Sequence, residues 1–135
     1  MKELTVSEIL QLVYSRLRNS ELADEVPTIY KFNHFLNPTG EFIVVGPLSN
    51  AVNDDQIATI VVNIYVPDST PTIGNKEQRT PNDARLGALA KIALEVLRWY
   101  DTGQHYFFRV EASSIISEEE ISYSFINLKV KFKNS

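Results

Sequence analysis

Two histidines, His34 and His105, and two acidic runs, Asp54-Asp55 and Glu118-Glu119-Glu120, are the residues of this chain best equipped for chemistry. An imidazole acts as a general base or metal ligand when a partner stands at suitable spacing. Neither histidine shows one in sequence, so surface or packing roles are expected for both. Paired carboxylates exchange protons or hold divalent cations through oxygen. Both acidic runs fall in turn-like sequence, where such residues are commonly just solvated. With no cysteine in 135 residues, disulfides, thiolate nucleophiles and Cys-based zinc sites are excluded together. There is no Gly-rich phosphate loop and no nucleophile with a base nearby. The expectation is therefore no catalytic residue, no metal ligand and no cofactor.

Other groups suit recognition. Lys129, Lys131 and Lys133 alternate, so they share one face of an expected final strand. They can meet phosphate, an acidic partner or an acidic patch on a neighbouring subunit. Equally, lysines protect an exposed edge strand from unwanted pairing. The loop 68–79 contains Pro71, Gly74 and charges of both signs, namely Asp68, Lys76, Glu77 and Arg79. It is long for a compact domain, and loops of this length are functional or mobile. These four residues and the three lysines are the candidate interface set. Trp99 and Tyr100 are expected to end a helix, where they either anchor an interface or, in the favoured reading, serve packing, with Tyr100 completing the core stripe and Trp99 capping its flank.

Composition narrows the class. The length suits one α+β domain over 1–135, and the apolar share of 44% is ordinary for a globular chain. A net charge of −4 lacks the basic footprint of a general nucleic-acid binder. No apolar run reaches the length of a membrane span, and no signal-peptide core follows the N-terminus.

The elements that must position these residues are legible as patterns. Thr5-x-x-Glu8 is a capping box, with Leu4 and Ile9 as its hydrophobic staple. Val6, Ile9, Leu10, Val13 and Leu17 then recur at helical spacing, predicting a helix over 6–20. Val26-Pro27 breaks it. Short strands are expected over 28–32 and 41–45, the second ending at Gly46-Pro47. Alternation over 56–66 predicts the strongest strand, with Ala58, Ile60, Val62, Ile64 and Val66 facing the helices. A second helix is expected to open at Thr80-Pro81 and run to Tyr100, ended by Asp101-Thr102-Gly103. Its small residues Gly87, Ala88, Ala90 and Ala93 would let it lie close to the sheet. Two long strands, 106–116 and 121–132, should form a hairpin through 117–120. Apolar parity shifts near Phe125-Ile126, which calls for a β-bulge there or for cover on both faces. The expected fold is α+β, two helices packed mainly on one face of a four- or five-stranded, mostly antiparallel sheet, in the order α-β-β-β-α-β-β.

Taken in order, these pieces resemble the tail-terminator and tail-completion proteins of long-tailed phages and prophages. The matching pieces are 3–17, then Val26-Pro27, then Phe42-Ile43-Val44-Val45-Gly46, then 57–65, 83–100 and 107–132. The resemblance covers nearly the whole chain through layout and hydrophobic texture, although the loop before the second helix is longer here. It implies a non-enzymatic virion-assembly subunit that forms a ring, often a hexamer, at the head-proximal end of the tail tube. Its partners would be itself, the tail tube and the neck or connector, with no membrane and no specific nucleic acid. It would work in the host cytoplasm during assembly and then in the virion tail. The alternative is a small α+β binding domain unrelated to phage, marked by an apolar pocket between helices and sheet. A hydrolase or isomerase built on acids and histidine ranks last.

Overall fold

The computed structural model describes residues 2–52, 55–101, 103 and 105–134. The capping box forms at the start of α1 (Val6–Arg18): Thr5 Oγ1 accepts from the Glu8 N–H at 3.1 Å, and Glu8 Oε1 accepts from the Thr5 N–H at 3.0 Å. Ile9, Leu10, Val13 and Leu17 are its buried residues. The helix stops two residues short of the expected end. Ser20 takes over as a new cap, its Oγ accepting from the Leu22 N–H at 3.2 Å, and starts the short α2 (Glu21–Glu25).

Strands β1 (Ile29–Lys31), β2 (Phe42–Val52) and β3 (Gln56–Pro67) follow, then β4 (Thr72–Ile73) and β5 (Lys76–Glu77). After α3 (Asp83–Val96) come β6 (Trp99–Asp101), β7 (Tyr106–Glu118) and β8 (Tyr123–Asn134). The main sheet runs β1-β2-β3-β8-β7-β6, with β4 and β5 in a separate ribbon. β1 lies parallel to β2 and the other neighbours are antiparallel.

This corrects the expected fold. Among the described residues the main sheet is curled and mixed, has six strands rather than four or five, and is accompanied by three α-helices rather than two. Three local causes account for the difference. α2 spans too few residues to show a helical period. α3 ends at Val96, so Tyr100 lies on a strand, although its spacing from Val96 fits a helix. The 68–79 loop is itself a hairpin, turned by Gly74 and Asn75 at φ +60 and +65. Two successive positive φ values suit a tight hairpin turn, and Gly-Asn is a sequence signal for one.

Further expectations need correcting. Gly46-Pro47 does not end β2. β1 covers only Ile43, Val44 and Val45, so beyond them β2 is an edge where a missing N–H is tolerated, with a bulge between Pro47 and Ser49. β8 has no bulge against β3, whose register runs unbroken from Gln56↔Asn134 to Pro67↔Tyr123. The parity shift instead reflects cover on both faces near Phe125. The cap of α3 is Asn82, accepting from the Arg85 N–H at 3.3 Å, while Thr80 pairs with Ser69. Gly87 and Ala88 are exposed and do not serve close packing on the sheet.

The main core lies between helices and sheet. Ile9, Val13, Leu17, Leu86 and Leu89 meet Ile43, Ile60, Val62, Ile64, Leu128 and Phe132, all fully or almost fully buried. On the other face, Phe42, Val44, Tyr65, Tyr123 and Phe125 form a smaller cluster. Phe42 and Tyr65 stack at 4.4 Å and Tyr65 and Phe125 at 4.5 Å, within the range of favourable ring contacts. The segment after β1 covers this cluster: Tyr123 Oη donates to the Gly40 carbonyl at 2.8 Å, and His34 packs on Phe42 and Tyr65.

Candidate functional site

The seven candidate interface residues fall into two groups. Asp68, Lys76, Glu77 and Arg79 belong to the arm that carries β4 and β5; Lys129, Lys131 and Lys133 lie on β8.

Asp68 and Arg79 form the root of the arm. The Asp68 side chain is 2% exposed; its Oδ2 lies 3.0 Å from Arg79 Nε, and its Oδ1 accepts from Ser124 Oγ at 2.6 Å. Arg79 Nη1 also donates to the Glu119 carbonyl at 3.1 Å. The backbones of Ser69 and Thr80 exchange two hydrogen bonds of 2.8 Å. These contacts anchor the arm beside the β7–β8 turn, and Asp68 and Arg79 are spent on that anchorage. Beyond the root, residues 70–78 are all exposed. Lys76 and Glu77 stand on β5 and face solvent.

The lysines do not guard an edge. β8 is central, between β3 and β7. Its register places Lys133, Lys131 and Lys129 beside Ile57, Thr59 and Val61 of β3, on the face away from the helices. Arg109 of β7 sits across from Lys131 and extends the basic strip, a contribution the sequence pattern did not reveal. Acids temper it: Glu111 Oε1 is 3.8 Å from Lys131 Nζ, and Asp55 Oδ2 is 3.3 Å from Lys133 Nζ. Glu111 is the extra residue of the bulge between Val110 and Ala112. Tyr100, 63% exposed, and Phe107 add aromatic surface beside the strip, at a ring separation of 6.3 Å. Tyr100 therefore does not complete the core stripe; Trp99 turns the other way and packs on Phe108 at 5.3 Å.

The two groups are kept apart. Asp68 is anchored at Ser124, and the strip runs from Lys129 to Lys133 on the same strand. At the rise of an antiparallel strand they lie about 17 to 30 Å apart. The anchor of Asp68 is also on the other face of β8 from the lysines, because Ser124 lies across from Val66 on the helix-covered side.

The histidines and acids can be placed chemically. Glu118, at the end of β7, accepts from Tyr65 Oη at 2.8 Å and lies 3.7 Å from His34 Nε2. This grouping joins residues too distant in sequence to be seen by spacing. Burial, then the hydrogen bond to Glu118 and its negative charge, hold the Tyr65 hydroxyl well above the usual tyrosine range. That direction opposes use of Tyr65 as a nucleophile or base, since both need the proton to leave easily. Glu119 approaches Arg79 at 3.8 Å. Glu120 is exposed, and Asp54 lies outside the described residues. His105 stands in the turn just before β7, with φ +60. Among the described residues, no group of three His, Asp or Glu side chains is arranged to hold a metal ion.

Arg85, in the first turn of α3, ties the fold together. Its Nε and Nη2 donate to Glu41 at 2.7 and 2.9 Å, and Nη2 reaches Glu25 at 3.2 Å. One surface groove of about 260 Å³ is lined by Leu12, Ser15, Arg16, Asn19 and Trp99, and another of about 480 Å³ by Arg98, Trp99, Tyr100, Phe107, Phe108 and Arg109. No helix among the described residues is long and apolar enough to cross a membrane. Compared with known proteins, the chain matches no family model and no curated sequence.

Proposed function

We propose that this chain is a non-enzymatic structural subunit that forms a ring at the head-proximal end of a phage tail tube and joins the tube to the neck. It would act in the host cytoplasm during assembly and in the virion tail afterwards. The observation that carries the reading is the pair of separate outward features, an arm anchored at one end of β8 and a basic strip near the other. A ring of identical subunits needs two different matching patches on each copy, because its contacts are heterologous. The resemblance in layout to tail terminators supplies the place in the virion. The partners would be further copies of the chain, the tail tube and the neck.

The test is a clean disruption of the gene, with lysates examined by electron microscopy. The reading expects unjoined heads beside tails that are overlong or unfinished. Normal virions would sink it and put the binding-domain alternative first.

A further inference from the structure

The distal half of β7 is an open edge without the usual protection. β6 covers only Tyr106, Phe107 and Phe108, so from Arg109 onward β7 has β8 on one side and no strand on the other among the described residues. Residues 112–117 read Ala-Ser-Ser-Ile-Ile-Ser, with no charge and no proline. All six are exposed, Ile115 at 48% and Ile116 at 42%. Edge strands left free are normally blunted by lysine, proline or a covering loop, because unpaired N–H and C=O groups template another strand. This stretch offers that template, and its one bulge lies before it, at Glu111.

The same chain carries a strand that fits. The arm is a two-stranded ribbon, marginal by itself in water. Its inward hydrogen bonds are accounted for at Ser69 with Thr80, at Pro71 with Gln78, and at Ile73 opposite Lys76. Backbone groups alternate in direction along an antiparallel strand. Thr70 and Thr72 therefore turn their N–H and C=O groups outward. Pro71 points its missing N–H inward, where it costs an outer partner nothing. The β4 side is uncharged, Thr70-Pro71-Thr72-Ile73, like the β7 edge, whereas the β5 side carries Lys76 and Glu77.

We infer that the β4 edge of the arm adds as a strand to the free β7 edge of a second copy of this chain. Arm and edge are different surfaces, so the contact is heterologous and propagates from copy to copy. The choice of arm-to-edge over edge-to-edge pairing rests on the ring reading above; the open edge and the outward arm groups do not.

The cysteine-free sequence makes the test clean. Thr72→Cys is prepared alone, and Ser113→Cys and Ser114→Cys separately, one for each face of β7. Mixing the first with each of the others under mild oxidation should give a disulfide-linked dimer in at least one mixture and none in any single variant. A dimer from Ser113→Cys or Ser114→Cys alone means edge-to-edge pairing and overturns the inference. Ile115→Lys with Ile116→Lys changes only exposed side chains and should abolish association while leaving the circular dichroism spectrum of the folded chain unchanged. Association at wild-type strength in that variant also overturns it. An oligomer that forms with no cross-link to Thr72→Cys sinks this contact but leaves the ring reading standing. A chain that stays monomeric and uncross-linked sinks the contact too, and the lysate experiment then decides the ring reading by itself.

Discussion

Gly87 lies on the solvent side of α3, and a Cβ added there would meet nothing within 4 Å. Gly87→Ala should therefore stabilise the protein by about 0.5 to 1 kcal/mol through the lower backbone entropy of the unfolded chain, read as a raised denaturation midpoint. Tyr65 gives a prediction with a pH signature. Its folded pKa is raised above the ordinary 10.0, as are those of Tyr106 and Tyr123, in each case chiefly by burial. The stability this lends is fully present below the unfolded value and is lost as pH rises beyond it, because the unfolded chain then releases protons that the folded one keeps. Denaturation titrations above about pH 10 should show a steep loss, and Tyr65→Phe should flatten it by up to about 1.4 kcal/mol per pH unit. An unchanged slope would mean that Tyr65 ionises freely in the folded state. At this scale legibility followed distance along the chain. Thr5 and Glu8 lie within one helical turn and could be read directly, whereas Tyr65 and Glu118, 53 positions apart, meet only through the register of β3, β8 and β7.

The elements differ in how much of their signal is local. α1 and β3 carry a full period of buried residues and were legible almost to their ends. β6 and the ribbon of β4 and β5 span two or three residues per strand, too few to set a period. The central place of β8 depends on strand order, which no single strand encodes, so its lysines could also be read as guards of an edge. Two predictions belong here. Thr5→Ala removes the side-chain acceptor for the Glu8 N–H and should cost about 1 kcal/mol of stability. Arg79→Ala strips the cation from the nearly buried Asp68 carboxylate and frees the root of the arm. The cost should be about 1 to 3 kcal/mol, below that of a fully buried pair because Arg79 is a third exposed. Limited proteolysis should then cut within 70–78 faster than in the wild type; equal rates would show that the root does not hold the arm.

The whole molecule is a sheet whose helix-covered face was legible from alternation, because Ala58, Ile60, Val62, Ile64 and Val66 are all buried as the pattern demands. Val62→Asp would place a carboxylate where exposure is 0% and should cost more than about 4 kcal/mol. Less legible was how the sheet ends: which edges are covered and which are left open depends on strand order and strand lengths together. The account assigns function to those open features rather than to any reactive group. Native mass measurement of the intact chain across a range of concentrations tests that assignment most directly, alongside a variant lacking residues 70–78. The account predicts a closed oligomer of identical copies, a hexamer if the resemblance to tail terminators holds, and a folded monomer for the shortened chain. A shortened chain that assembles as well as the intact one would contradict it.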